Sequence, residues 1–195
     1  MPAARSRIDT PRLRLVAPDP GPCQAQAVAD FYARNREHFS PWDPPRGPDK
    51  DEPEAVQRRL LSGAAAFDAG EAFRWWLTPA DAPRRVIGSI SLSNLSRGPF
   101  QSANLGYALD AAAQGQGLMH EALQAVIAEA FAPAINLHRL QAGVRPENLR
   151  SLAVMARLGF ADEGLARDYL YIAGAWRDHR LFALLNPAFI APAHW

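Results

Sequence analysis

The stretch "AAAQGQGLMHEAL", residues 111–123, sets Gly115 and Gly117 one residue apart at the mouth of an amphipathic segment. The chemistry open to such a pattern is the holding of an anion. The first amides of a helix have no internal acceptor, and the helix dipole makes that end partly positive. Glycine allows close backbone approach and positive φ, so a glycine turn feeding a helix forms a cradle for phosphate or pyrophosphate. The dinucleotide fingerprint would need a third glycine where His120 stands, and the nucleoside-triphosphate loop would need Lys then Ser or Thr after Gly117. Taken alone, the motif also reads as a plain connector between strand and helix.

The elements on either side decide how such a loop is held. "TPRLRLVAP", residues 10–18, alternates and then meets Pro18, which predicts a first strand. A helix is expected over residues 22–37 and another from Glu54 to about Phe67, ending near Gly70. Between them, residues 39–54 hold five prolines and no periodicity, the clearest loop in the chain. "FRWWLTP", "VIGSISLSNL" and "ANLGYALD" read as strands, the last with Leu105, Tyr107 and Leu109 on one face. In "FRWWLTP", Trp75 and Trp76 must face opposite sides, one into the core and the other free to line a cleft. The period then changes to helical from Leu118 to Phe131, stopped by Pro133. A strand, "HRLQAGVRP", and a helix that ends at Gly159 follow. Two closing strands turn at Ala173 and Gly174. The order predicts an α/β fold: one domain over residues 1–195, a mixed sheet flanked by helices.

Bulk properties narrow the setting. A chain of 195 residues, 48% apolar and 21% charged, suits one soluble domain. No apolar run reaches membrane-spanning length and no secretion signal opens the chain, so no membrane partner is expected. The single Cys23 rules out an internal disulfide and fits a reduced, cytoplasmic setting, with the thiol in the core or at the surface. A net charge of +1 offers no footprint for nucleic acid as a main partner. His38, His120, His138, His179 and His194 show no paired ligand spacing, so no metal is expected. His120 and His179 read as surface or supporting residues.

Several ordered motifs together resemble a known family. "NLGYALD", "GQGLMHEAL", "LHRLQAGVRPENLRS", "ARLGF" and "EGLARDYLYIAGAWRDH" are similar, in order and spacing, to the GNAT N-acetyltransferases, most closely the RimJ-type branch that acetylates ribosomal-protein alanine termini. "TPRLRL" and "NREHFSPWDP" extend the resemblance to about residues 9–186. It implies acetyl-CoA as co-substrate, with the pyrophosphate on the glycine loop. The implied cofactor contacts are Tyr107, Ala108, Leu109, Gln114, Gly115, Gln116, Gly117, Leu118, Met119 and Asn148. Ala112 stands where the family pattern has a basic or amide residue, with Gln114 and Gln116 as substitutes.

The resemblance also implies a mechanism of direct transfer to an amine. A main-chain amide on a splayed strand, here "NLGYALD", meets the thioester oxygen, and Gly106 is the expected site of a local irregularity. Where many relatives have a tyrosine to serve the leaving thiolate, this chain has Met155, and Ser151 is the candidate catalytic residue instead. Asn148 is expected to cap the helix that Ser151 opens. A base has no clear candidate: Gly143 occupies the place of a glutamate in some relatives, and Glu121, Glu147, Glu163 and Asp168 read as surface or caps. The acceptor expected is a protein N-terminus, whose amine has a pKa of about 8 against about 10.4 for lysine. Trp42 with Asp49, Asp51, Glu52 and Glu54 is expected to border the acceptor side and to suit a basic peptide. A small-molecule amine as acceptor and a non-catalytic acyl-CoA-binding module are the alternatives.

Overall fold

The computed structural model describes residues 3–44 and 51–191. Alternation at Leu13 and Leu15 builds a strand, but it is the second of the chain. A short β1 (Arg7–Asp9) runs antiparallel to β2 (Leu13–Val16), too brief to carry a periodic signal. Helix α1 (Pro22–Arg34) opens on a proline, tolerated there because a first-turn N–H has no helical acceptor anyway. The helix expected over residues 22–37 breaks at Asn35. This side chain is buried, donating to the Phe31 carbonyl at 2.9 Å and accepting from the Ala111 amide at 3.0 Å. A single turn, α2 (Arg36–Phe39), follows it. Helix α3 (Pro53–Ala69) ends where predicted, at Gly70 in the left-handed region (φ 70°).

Strands β3 (Phe73–Pro79), β4 (Gly88–Ser96) and β5 (Ser102–Leu109) form an antiparallel meander. Helix α4 (Leu118–Phe131) then crosses over to β6 (Arg139–Val144), which pairs parallel to β5. Helix α5 (Leu149–Arg157) leads into β7 (Ala161–Ile172) and β8 (Ala175–Leu185). The β7–β8 turn is the one anticipated, with Ala173 (φ 50°) and Gly174 (φ 79°) both left-handed, as a tight hairpin requires. β7 begins well before the predicted strand because it lies at the sheet edge, almost wholly exposed and with two register shifts, which erases alternation. The eight strands lie in the order β1-β2-β3-β4-β5-β6-β8-β7, a mixed sheet flanked by helices, as expected.

Each face of the sheet has its own core. On one, Leu13, Leu15, Trp75, Leu77, Ile90, Leu92 and Leu105 meet Leu123 and Val126 of α4 and Met155 of α5. On the other, Trp76 packs with Val28, Phe31 and Tyr32 of α1 and Val56 and Leu60 of α3. Trp75 and Trp76 thus take opposite faces, and both are buried. Among the described residues, no helix is long and apolar enough to cross a membrane.

Candidate active site

The sheet opens at one place. β5 and β6 pair at Ser102↔Arg139, Ala103↔Leu140 and Asn104↔Gln141, and among the described residues the pairing stops there although both strands continue. The opening therefore lies beside residues 105–109. Strand polar groups alternate in direction. The Gly106 carbonyl accepts from the Ser91 hydroxyl, and the Asp110 amide donates to the Ile87 carbonyl at 2.7 Å, so residues 106, 108 and 110 turn their main chain toward β4. The main-chain groups of Leu105, Tyr107 and Leu109 consequently face the opening. Gly106 is not the irregularity expected of it. It pairs regularly with Ser91, and the register shift of this ladder falls between Ser93 and Ser96. The splay comes from the loss of a neighbour on the other edge, which single-strand reading cannot detect.

At the end of β5 the chain makes a short 3₁₀ turn, Ala111–Ala113, and enters the glycine loop. Gly115 (φ 76°) and Gly117 (φ 74°) are both left-handed, and Gly117 is the residue that caps α4. A Cβ at Gly115 would meet nothing within 4 Å, so one side of the loop is bare. The amides of residues 115–120 have no acceptor among the described residues. Bare backbone, positive φ and a run of free N–H groups at a helix start fit an anion such as a pyrophosphate.

Two arginines from outside the loop's own sequence also reach it. The Arg12 guanidinium donates to the Gln116 carbonyl at 2.8 Å and pairs with Glu121 at 2.7 Å. Arg150, on the first turn of α5, donates to the Gln114 side chain at 2.6 Å. The Gln114 amide is held at its other end by His38 at 2.9 Å, so this residue braces the loop. These two arginines reach the loop from elsewhere in the fold, and neither was a candidate because they are distant in sequence. Of the other expected contacts, Met119 buries its side chain in the core, leaving its amide at the helix start. Ala108 turns its main chain to β4 and its methyl toward the α1–α3 core. Asn148 caps α5 by accepting the Ser151 amide at 3.1 Å.

On the α5 side of the opening two hydroxyls meet. Tyr107 Oη and Ser151 Oγ are 2.5 Å apart. Burial pushes the Tyr107 phenol up to about 12, with the Ser151 hydrogen bond pulling the other way, so it stays protonated at neutral pH. One hydrogen is shared between the two oxygens, and the Tyr107 hydroxyl also reaches the Ser151 carbonyl at 3.5 Å. Met155 is fully buried in the core, so that position does not face the opening at all. A phenol reaches Ser151 from β5 instead, a meeting visible only once strand and helix are brought together.

Asp110 locks the loop to α1. Its carboxylate takes the Arg34 guanidinium at 2.7 Å and the Ala112 amide at 3.1 Å, with Arg85 at 3.7 Å. Burial alone would raise its pKa, but these partners together hold it below the ordinary carboxylate value. A depressed native pKa gives stability that is present above the unfolded value, near 3.9, and is lost as pH falls through the folded value. We expect acid destabilisation below about pH 4. Asp110→Asn should lower neutral-pH stability by about 1–3 kcal/mol and flatten that acid limb, as read by denaturant melts from pH 3 to 7. An unchanged acid limb would remove Asp110 from this role.

None of the four carboxylates near the motifs is directed at the opening. Glu121 holds the Thr10 hydroxyl (2.6 Å) and Arg12, Glu147 pairs with Arg145, Glu163 with Arg139, and Asp168 is exposed. Of the surface and supporting roles expected for His179, burial excludes the surface one: it is 4% exposed and lies against Gly143. Cys23 is an exposed thiol. Among the described residues no group of His, Cys, Asp and Glu is arranged to hold a metal ion, and His194 lies outside them. The loop expected at the acceptor side is tied to the end of β6, where Arg145 donates to the Pro41 carbonyl at 2.6 Å and stacks on Trp42 at 5.4 Å. Of its acidic residues, Asp51 pairs with Arg36 at 3.3 Å, Glu52 and Glu54 start α3, and Asp49 lies outside the described residues.

Comparison with known proteins agrees with this geometry. The model of the acetyltransferase (GNAT) domain matches residues 12–161. The ribosomal protein uS5-alanine N-acetyltransferase of Escherichia coli is 42% identical over 163 residues, 84% of this chain and 83% of that enzyme. The ribosomal-protein-S5-alanine acetyltransferase from Vibrio fischeri has the same fold, with a TM-score of 0.90 at 34% identity over 96% of this chain and 100% of that one. Mycobacterium smegmatis RimJ, solved with CoA-disulfide, has a TM-score of 0.81 at 30% identity over 89% of this chain and 81% of its own. With a splayed strand, a glycine loop of free amides at a helix start and a family match over most of its length, this chain belongs to the GNAT acetyltransferases and is an acetyl-CoA-dependent N-acetyltransferase.

Proposed function

We propose that the acceptor is the N-terminal α-amine of a ribosomal protein, in first place the alanine terminus of uS5. The observation that carries this reading is the 42% identity to the Escherichia coli uS5-alanine enzyme across 83% of its length. The form of the cleft is consistent with it. The opening between β5 and β6 is bordered by the Pro41–Trp42 turn, which Arg145 holds in place. An α-amine also needs less help than a lysine. At neutral pH, about 3 kcal/mol less work is needed to expose it as the neutral nucleophile.

In this reading the loop amides of residues 115–120, with Arg12 and Arg150 behind them, bind the pyrophosphate of acetyl-CoA. The Tyr107 and Leu109 amides face the opening and receive the thioester oxygen as charge builds on it. The hydroxyl pair of Ser151 and Tyr107 donates to the departing sulfur. A phenol at about 12 lies far above an ordinary thiol near 8.5, so full proton transfer from it would be roughly 5 kcal/mol uphill. The pair therefore acts by hydrogen bonding, and the thiolate takes its proton from solvent. The test is peptide-dependent release of free thiol from acetyl-CoA. The panel is a peptide with the uS5 N-terminus, a serine-terminated peptide and a polyamine. The alanine peptide should exceed the polyamine at least tenfold in kcat/KM, and the reverse order would overturn the proposal.

A further inference from the structure

On the face of the sheet opposite the Tyr107–Ser151 pair, two glycines border the opening. Gly106 would set a Cβ 3.2 Å from Ser91 Oγ, and Gly143 would set one 3.3 Å from Tyr169 Cε1 and 3.6 Å from His179 Cδ2. Continuing the β5–β6 register past Asn104↔Gln141 would bring Gly106 level with Gly143, but the strands have separated by then. The two residues thus stand on either side of the gap with no side chains of their own. The imidazole of His179, from the neighbouring β8, and the ring of Tyr169, from β7, lie beside the bare strip. The two rings are 5.3 Å apart.

The orientation of His179 is specified. Its Nδ1 lies 3.0 Å from the Arg177 carbonyl, which can only accept, so Nδ1 carries the hydrogen in that bond. In the neutral ring Nε2 then holds the lone pair. Among the described residues Nε2 has no hydrogen-bond partner, nor is it among the polar atoms sealed from solvent. A histidine buried to this degree, with a carbonyl setting its tautomer and an unused acceptor, differs from a packing residue that satisfies both nitrogens. Around it lie the Tyr169 phenol, the Arg177 carbonyl and Gly143. The Asp168 amide donates to Asp178 at 2.9 Å, and the Arg145 guanidinium is already held by Pro41 and Glu147.

We propose that His179 is the general base that takes the proton from the acceptor amine, a role that rests on the N-acetyltransferase reading above. The amine approaches on the glycine face while the sulfur leaves toward Ser151 and Tyr107 on the other. The nitrogen lone pair forms the C–N bond to the thioester carbon, and one N–H proton passes to His179 Nε2. The C–S bond breaks with its electron pair on sulfur, the thiolate is protonated from solvent, and the imidazolium returns its proton to solvent. Nucleophile and leaving group are thereby served by different faces of one splayed strand. With no side chains at Gly106 and Gly143, the rings of Tyr169 and His179 lie directly against the strand edge at the opening.

The experiment uses the whole chain and whichever amine of the panel above the wild type acetylates fastest. Wild-type preference for the polyamine would overturn the acceptor assignment alone and leave the base testable. His179→Ala should lower kcat about 100-fold, within the range for losing a general base, with acetyl-CoA affinity within twofold of wild type. Free imidazole should restore at least tenfold of that loss, because the variant vacates the space beside Gly143. As a second route, His179→Ala with Gly143→Glu should recover activity by placing a carboxylate over the same strip. A kcat within threefold of wild type would overturn the proposal. So would a folded variant whose loss neither imidazole nor the Gly143→Glu change relieves, since that outcome marks His179 as packing only.

Discussion

Gly115→Glu should abolish measurable acetyl-CoA binding while the protein remains folded. Two effects combine at this residue. Its φ of 76° is left-handed, which costs a side chain about 1–2 kcal/mol, and a carboxylate placed there faces the run of free amides proposed to hold the pyrophosphate. The fold tolerates the change because a Cβ at this position has nothing within 4 Å to strike. Charge repulsion and loss of close approach together should weaken binding at least ~100-fold, or about 3 kcal/mol. Gly115→Ala separates the two, carrying the backbone strain without the charge, and should lose no more than about tenfold. Titration calorimetry on both variants, with a thermal melt as control, reads the result directly. Unchanged affinity in Gly115→Glu would reduce the loop to a connector between β5 and α4.

The second expected result concerns the hydroxyl pair. Ser151→Ala should lower kcat about 30-fold with little change in KM for acetyl-CoA, as expected when a hydrogen bond to developing charge is removed. Tyr107→Phe should cost less, about fivefold, because Ser151 keeps its own hydrogen but loses the partner that orients it. The double variant should be no worse than Ser151→Ala alone. Two groups that act as one donor chain are not additive, whereas two independent donors would multiply their losses. A multiplicative double variant, or a defect confined to KM, would reject the arrangement. Met155 is not an alternative site for the missing phenol, since it is sealed in the core beneath α5.

Much of the molecule could be read from local pattern. The amphipathic period from Leu118 to Phe131, the alternation in "HRLQAGV" and the left-handed stops at Gly70, Gly159 and Gly174 all appear where short-range physics places them. The glycine loop is of this kind too, because φ and free amides depend on residues adjacent in sequence. So is the cap of α5, in which Asn148 reaches the amide of Ser151 three residues on. The ordered motifs then point to the family, and through it to acetyl-CoA.

Tertiary structure alone decided the rest, for one physical reason: the groups concerned are brought together by strand order and crossover, which no local period encodes. The opening beside Tyr107 exists because β6 diverges from β5 after Asn104, not because of Gly106 within β5. Arg12 and Arg150 reach the glycine loop from β2's approach and α5's first turn. Tyr107 meets Ser151 across 44 residues, and His179 reaches the side of Gly143 because β8 inserts between β6 and β7. Sequence determined the glycine loop and the kind of enzyme around it. Only the folded sheet decided which hydroxyls, cations and imidazole stand around the β5–β6 opening.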